Sequence, residues 1–366
     1  MTARHLAVVN TGSATLKLAL FEADGGEMRR RSSRTFEWGS REAMPGAIEE
    51  ALSNLDGEPD LIGHRVVHGG LRYTNPVLID DDVERTLAGL VELAPLHNEP
   101  AITAIRAARR HFPRTPSVAV FDTAFHARRP PESMRYALPA EWHERFGFRR
   151  YGFHGIAHAS LARSCAAAEG VDPAEVTAVT LQLGAGCSAC AVRKGRSIET
   201  SMGYTPLEGL VMSTRCGSID PAIVLALLRN GLSPDDIDEA LNRRSGLLGL
   251  AGTGDMRELL AADVRGEKDA RLALRLFIHR LVLTVGAYLT LLDGEGAIVF
   301  GGGIGENAPD VRAGVAQGLK AWNVALDPAL NLANREGRIS RERSRPVYVF
   351  ATREEEMIAR QLLELA

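Results

Sequence analysis

The sequence predicts a mixed α/β protein built from two domains. Three observations carry that expectation. At 366 residues the chain is long enough for two hydrophobic cores. Short β-type apolar runs alternate along it with amphipathic helical stretches. A strand, a glycine turn and a second strand also occur together once in each half, at residues 5–22 and 176–192. Composition agrees, since 45% hydrophobic and 24% charged residues are the ordinary balance of a globular protein. A net charge of −3 offers no basic surface, so no nucleic acid and no membrane is expected as a partner. The longest apolar stretch, residues 281–292, contains Gly286 and is too short to cross a bilayer. The chain enters its first strand without a charged-then-apolar leader, and the expected location is the cytoplasm.

The first glycine turn organises the opening of the chain. Apolar residues 5–9 stop at Asn10-Thr11-Gly12-Ser13, and a second apolar run, 16–21, completes a hairpin. Gly12 lets the backbone pass close to a ligand. Asn10, Ser13, Thr15 and Lys17 crowd donors and one cation beside it, which is equipment for holding phosphate oxygens. Taken alone, the stretch reads equally as an ordinary polar hairpin. Residues 42–55 then read as a helix with Ile48, Ala51, Leu52 and Leu55 on one side. Residues 60–67 read as a buried strand that carries Arg65 toward its end, before His68-Gly69-Gly70. An arginine there suits a snorkelling edge position or a buried anion site. Residues 83–93 read as a helix, residues 95–100 (Pro-Leu-His-Asn-Glu-Pro) as a rigid polar turn, and a further helix reaches His111. Strand 117–121 delivers Asp122 just past its C-terminal end, where α/β sheets gather ligand chemistry. Helix capping is the competing use of that carboxylate. The Arg/Pro-rich residues 128–131 mark a domain boundary.

Beyond the boundary, the basic and aromatic run Arg149-Arg150-Tyr151-Gly152-Phe153-His154-Gly155 precedes a helix over 156–168, which suits an anion site at a helix start. His154 by itself reads as a structural residue. The second glycine turn, Gly184-Ala185-Gly186-Cys187-Ser188, joins strands 180–183 and 189–192. A third, Gly301-Gly302-Gly303-Ile304-Gly305-Glu306-Asn307, follows strand 298–300 and opens a helix through Gly318. The first two turns suit phosphates and the third a nucleoside. Between them Arg215 sits in a Gly/Ser loop, and Asp220-Pro221 starts a helix. The apolar helix over 268–293 reads as core or as a subunit interface, the interface being favoured because one face would remain apolar. Strand 347–350 leads to Thr352-Arg353-Glu354-Glu355-Glu356 and a last helix, whose acids serve the helix dipole or hold a metal. Cys187 and Cys190 form a CxxC without a second pair or a histidine cluster, and along a strand they point to opposite faces. With Cys165 and Cys216 they read as structural thiols.

The strings GHRVVHGG at 63–70, PLHNEP at 95–100, FDTAFH at 121–126, RRYGFHG at 149–155, ETSMGYTPLEGL at 199–210, SIDP at 218–221 and GGGIGEN at 301–307, in that order, resemble the acetate kinases. These form the acetokinase branch of the sugar kinase, chaperone ATPase and actin superfamily. The resemblance implies two ribonuclease-H-like domains with a nucleotide cleft between them. The first would be residues 1–126 plus the C-terminal helix 353–366, the second residues 127–352, with homodimerisation through the second. It implies reversible phosphoryl transfer from ATP to acetate, giving acetyl phosphate and ADP, with Mg²⁺ (or Mn²⁺) as cofactor. Propionate or butyrate kinase is the alternative within the class, and a nucleotide-binding paralogue of weak turnover the alternative outside it.

Carried over by motif, the resemblance makes Arg65, Asp122, His154 and Arg215 catalytic, with Arg65 also binding substrate. Val67, Leu96, Phe153 and Pro206 would line the acyl pocket, and Asn10 and Glu354 would serve the metal. Lys17, Gly184 and Gly186 would meet phosphates, and Asp255, Met256, Arg257, Gly303, Ile304, Gly305 and Asn307 the nucleotide. The residue types suit the chemistry. A carboxylate at neutral pH is already a nucleophile, so the barrier is electrostatic, and arginines, a histidine and a divalent cation answer it. The chain departs from the family where HLGNG becomes Gln182-Leu183-Gly184-Ala185-Gly186, where TRSGDIDP becomes Thr214-Arg215-Cys216-Gly217-Ser218-Ile219-Asp220-Pro221, and at Arg353.

Overall fold

In the computed structural model the first glycine turn joins strand β1 (Arg4–Thr11) to β2 (Thr15–Asp24) as an antiparallel pair with Asn10 opposite Lys17. Described are residues 3–12, 15–55, 57–90 and 95–365, the side chains of 95–97 excepted, so Ser13 lies outside them. By packing, the chain divides into two units. One comprises Met1–Ala127, His154–Ala157 and Arg353–Ala366, the other Arg128–Phe153 and His158–Thr352.

In the first unit the remaining strands are β3 (Glu27–Glu37), β4 (Leu61–Val66), β5 (Val77–Leu78) and β6 (Ser117–Phe121), in sheet order β3-β2-β1-β4-β6-β5. β1, β4 and β6 run parallel; the flanking strands are antiparallel. The two-residue side-chain period divides β1 between two cores. Ala7 and Val9 pack with Ile48, Leu52, Ala104 and Ala108 of helices Met44–Ser53 and Pro95–His111. Leu6 and Val8 pack with Ile358 and Leu362 of helix Glu354–Leu365. Both faces of the central strands are therefore covered, which is why β6 is buried along its whole length. Ile156 joins the second of these cores, with Val118 and Val120. That packing draws His154–Ala157 into the first unit, whereas the chain-order expectation put every residue of 127–352 in the second.

The second unit repeats the wiring. Its strands β7 (Ala178–Leu183), β8 (Cys187–Arg193), β9 (Arg196–Thr200), β10 (Ala297–Gly301), β11 (Gly337–Arg338) and β12 (Val347–Val349) form a sheet in the order β11-β12-β10-β7-β8-β9. Each strand takes the place of the one six earlier. The expected mixed α/β architecture with two sheets is the one observed. The four cysteines are free, and Cys187 and Cys190, both on β8, are buried three positions apart on opposite faces.

Several elements differ from expectation. The stretch 95–100 is not a turn but the start of helix Pro95–His111, with Pro100 inside it. Pro100 lies close enough to the N-terminus that its missing donor leaves one early carbonyl unbonded. The buried Asn98 side chain anchors that end by accepting from His68 N and donating to the His68 carbonyl. The helix expected over 83–93 runs Asp81–Gly89, capped by Asp80; residues 91–94 lie outside the described ones. The helix expected through Gly318 breaks at Ala308 into Gly302–Asn307 and Pro309–Gly318, because a residue before proline is driven out of the helical region. Helix Lys268–Leu291 is long and apolar enough to cross a membrane by length and hydropathy, a property the sequence reading did not assign. In the fold, Ala273, Phe277, Leu281 and Val285 pack inward while Arg275, His279 and Arg280 are exposed.

Two buried histidines predict a pH response of the first unit. Burial holds His64 down to about 3 and His68 to about 4, against an ordinary 6.5. The unfolded chain binds protons in that window which the folded chain refuses, so stability falls as pH drops from 6.5 toward 4. Urea unfolding of His64→Gln should lose about 1.4 kcal/mol less per pH unit than the parent between pH 6 and 4.5. Parallel slopes in the two proteins would contradict this.

Candidate active site

The C-terminal ends of the parallel strands bring three residues of the first unit together. Asn10 ends β1 beside Arg65 of β4, and Asp122 follows β6. The Arg65 guanidinium reaches Asp122 Oδ2 from Nη2 at 2.6 Å and from Nε at 3.1 Å. Its Nη1 donates to Asn10 Oδ1 at 3.2 Å and lies 3.7 Å from Glu354 Oε2. Asn10 Nδ2 in turn donates to Glu354 Oε2 at 3.0 Å and to Glu355 Oε1 at 2.7 Å. Lys17 Nζ stands 4.0 Å from Glu355 Oε1, half-exposed. One guanidinium, one amide and three carboxylates thus form a connected network, with Arg65 only 14% and Asp122 1% exposed in their side chains.

Electrostatics divide the two buried carboxylates. Burial pushes the Asp122 carboxyl up, and Glu354 adds to this; the Arg65 charge opposes both without overcoming them. For Glu354 burial also pushes upward, yet Arg65, the Asn10 hydrogen bond, His154 and Lys17 together hold it below the usual range. Arg65 itself is shifted upward: burial works against its charge, but Asp122 and Glu354 outweigh burial. Asp122 Oδ1 is buried and makes no hydrogen bond; the Ile156 amide draws the carboxyl downward without reaching hydrogen-bonding geometry. An orphaned carboxylate oxygen beside a second carboxylate suits a hard divalent cation. Among the described residues no three His, Cys, Asp or Glu form an all-protein metal cage. Mg²⁺ in kinases takes one or two carboxylates and fills its shell with water and phosphate oxygens, so Asp122 and Glu354 fit it without such a cage.

His154 adjoins this cluster in a left-handed backbone conformation, φ +57°. A non-glycine residue held there is strained, and such strain concentrates at functional sites. The next residue explains how the turn is held. Gly155 N donates to the Asp122 carbonyl at 2.9 Å, and a Cβ on Gly155 would collide with that same oxygen.

In the second unit the glycine turn between β7 and β8 is closed by Gly184 N donating to the Gly186 carbonyl at 3.0 Å. Ala185 is exposed at its tip, and its carbonyl accepts from Ser213 N at 3.1 Å, which ties the turn to the Arg215 loop. That loop is pinned by backbone donors on its other side: Ser245 N to the Thr214 carbonyl, Leu247 N to Met212 and Leu248 N to Ser213. Gly246, at φ +61°, makes the approach feasible, since a Cβ there would strike the Met212 carbonyl. Arg215 Nη1 donates to the Pro206 carbonyl at 3.4 Å, and burial draws the Arg215 pKa down. At the third glycine turn Gly302 N donates to Thr352 Oγ1 at 3.1 Å, and that hydroxyl donates to Gln182 Oε1 at 2.7 Å. Gln182, standing where the resembled family carries histidine, is therefore tied to the start of helix Gly302–Asn307.

The other expected site residues distribute as follows. Val67 is buried in the first unit; Phe153, buried, and Pro206, half-buried, belong to the second. The Leu96 side chain lies outside the described ones. Asp255 caps helix Met256–Val264 by accepting from Arg257 N, and its carboxyl is held down to about 2 by the Arg257 side chain. Arg257 is exposed, whereas the Met256 side chain is buried and turned into the core. Gly303 and Asn307 are exposed, with Asn307 Nδ2 donating to the Gly303 carbonyl; Ile304 and Gly305 are buried. Burial raises the Cys216 thiol, so the neighbouring arginine does not make it a thiolate. Sequence reasoning quoted Gly155, Thr352 and Glu355 within motifs without giving any of them a role of its own, and it missed Gly246.

Comparison with known proteins gives a consistent result. The profile of the Acetokinase family matches residues 39–360. The chain is 45% identical to an acetate kinase of Leifsonia xyli, covering 98% of both. Among solved structures it resembles a propionate kinase of Francisella tularensis, with TM-score 0.86 and 36% identity over 98% of each chain. It likewise resembles the acetate kinase of Porphyromonas gingivalis, with TM-score 0.88 and 32% identity over 99% of each chain.

The network predicts a pH-dependent cost for removing its cation. Arg65→Met leaves two buried carboxylates uncompensated and should destabilise the first unit by about 3–5 kcal/mol near pH 7.5. Glu354 has a depressed pKa, so its contribution is present above the ordinary 4.5 and is lost as pH falls through its lower folded value. The gap between parent and variant in chemical unfolding should shrink below pH 4.5, and a pH-independent gap would contradict the assignment.

Proposed function

The chain belongs to the acetokinase family and is a kinase, and from that premise we propose that it transfers the γ-phosphoryl group of ATP reversibly to acetate with Mg²⁺, giving acetyl phosphate and ADP. One observation carries the reading: a guanidinium and two carboxylates are buried together at the ends of parallel strands, with Asp122 Oδ1 unpartnered. An acetate oxygen forms its bond to the γ-phosphorus as the bond to the β–γ bridging oxygen breaks, and ADP leaves with that electron pair. No base is needed, because the acceptor is already ionised. Asp122, oriented by Arg65, and Glu354, oriented by Asn10, would hold Mg²⁺, which would supply charge neutralisation to the phosphate oxygens. Arg65 orients the carboxylate acceptor and offsets its charge. Arg215 and His154 donate toward the transferring phosphoryl group. The amide of Gly186 holds phosphate, that of Gly184 being spent on closing the turn, and the turn at Gly303–Asn307 holds the nucleoside. Phe153 and Pro206 of the second unit limit the acyl group. The four free thiols support a cytoplasmic location.

The test is a hydroxamate trap of acyl phosphate with ATP, Mg²⁺ and acetate, propionate or butyrate. Acetate should give the highest kcat/KM; preference for a longer acid would reassign the acceptor, and no product from any acid would overturn the reading. Arg215→Ala should lower kcat about 100- to 1,000-fold with an unchanged circular dichroism spectrum. Near-parental kcat would remove Arg215 from the chemistry.

We also propose that the second unit pairs with another copy of itself. Helix Pro221–Arg229 buries none of its residues and exposes Ile223, Leu225 and Leu228, with Leu232 just beyond it. Light scattering should report a dimer. Leu225→Glu with Leu228→Glu removes two apolar contacts of about 1.5–3 kcal/mol each, weakening the dimer at least about a hundredfold. A dimer of undiminished affinity would place the interface elsewhere.

A further inference from the structure

One carboxylate of the second unit is held far more tightly than its place in a loop requires. Glu208 is engaged at both oxygens: Tyr136 Oη donates to Oε2 and Arg150 Nη1 to Oε1. Tyr136 Oη also accepts from Tyr204 N at 2.9 Å, so this hydroxyl is used in both directions. The Arg150 guanidinium lies 5.6 Å from the Tyr136 ring centroid, and its Nη2 donates to the Thr200 carbonyl at 3.0 Å. The cluster presses on the backbone of Gly203, where a Cβ would overlap both the Glu208 carboxylate and the Tyr136 hydroxyl. Burial, and then Glu208, push the Tyr136 pKa upward, which keeps its hydroxyl a donor.

What the cluster fixes gives it a function. The Gly203 carbonyl accepts from Tyr151 N at 2.9 Å and Gly152 N at 3.2 Å, and the next residue is Phe153. The Pro206 carbonyl accepts from Arg215 Nη1 at 3.4 Å. Gly209, at φ +111°, pairs both ways with Ser218, through its amide to Oγ and its carbonyl from Ser218 N. Segment 203–209 is thus anchored at its start, at its end and from within. It sets the positions of Phe153, Pro206 and Arg215 together.

We infer that Glu208, clamped by Tyr136 and Arg150, is a positioning residue that sets the second unit's acyl-pocket walls and the reach of Arg215, and thereby the discrimination among short carboxylate acceptors. This rests on the acyl-transfer reading above. Glu208 touches no reacting atom. Its effect passes through the backbone of Gly203 and Pro206, so loosening it acts first on the pocket walls, and among the described residues no direct contact links it to the nucleotide turn at Gly303.

The experiment compares the full-length parent with Tyr136→Phe and Glu208→Gln in the hydroxamate assay, with thermal melts alongside. Each variant should raise KM for acetate about tenfold and reduce the acetate-over-butyrate ratio of kcat/KM by a similar factor, while KM for ATP stays within about twofold. A merely structural role would lower the melting temperature and degrade both substrates' constants together, which overturns the inference. Unchanged discrimination in both variants overturns it as well. Should Glu208→Gln fail to fold, Tyr136→Phe, which removes a single hydroxyl, carries the test alone. A parent that phosphorylates no acid overturns the acyl-transfer reading and this inference with it. A parent that discriminates normally beside variants that do so equally well overturns this inference alone.

Discussion

The arrangement of the first unit's site depends on one guanidinium. Asn10, Asp122, Glu354 and Glu355 come from three separate parts of the chain, and each is linked to Arg65 directly or through Asn10. Two buried carboxylates repel one another and are costly to desolvate, so without a cation between them at least one would take up a proton. With Arg65 in place Glu354 stays ionised, and Asp122 keeps one oxygen unshared. The same charge therefore stabilises the fold locally and leaves a carboxylate oxygen open, as the proposed cation site requires. Parallel register makes the meeting feasible: Val9 pairs with His64 and Val66 with Phe121, so three successive strand ends deliver Asn10, Arg65 and Asp122 side by side.

The duplicated sheet wiring gives both units the same set of strand ends, but each uses them differently. In the first unit the ends of β1, β4 and β6 carry polar and charged side chains. In the second, the corresponding ends of β7, β10 and β12 carry Gly184, the Gly301–Gly303 run and Thr352. Charged and polar side chains mark the strand ends of the first unit, and glycine backbone those of the second.

Much of this was legible in the sequence where local rules and the global fold agree. The hairpin around Gly12, strand β6 leading to Asp122, and Asp220 with Pro221 at a helix start all follow from pattern and capping chemistry. Motif resemblance led to Arg65, His154 and Arg215, which composition and periodicity could not have singled out. The stretch 95–100 misled because its two prolines argue for a turn, whereas burial of Asn98 against the His68 backbone fixes a helix instead. The structural roles of Gly155 and Gly246 were hidden for a different reason. Each matters because of a backbone oxygen far away in sequence that a Cβ would strike, and no local signal records that distance. The Glu208 clamp was hidden in the same way, since Tyr136 lies 72 residues from its partner.

The account's central claim is that the Arg65-centred carboxylate pair is a seat for a divalent cation working on nucleotide phosphates. Its most direct test is the Mn²⁺ affinity of the ADP-loaded protein, followed by electron paramagnetic resonance in the parent and in Asp122→Asn. The account predicts a single tight Mn²⁺ site in the parent that weakens about tenfold or more, roughly 1.4 kcal/mol or above, in the variant, with ADP affinity in the absence of metal unchanged. Equal Mn²⁺ affinity in the two proteins would contradict it.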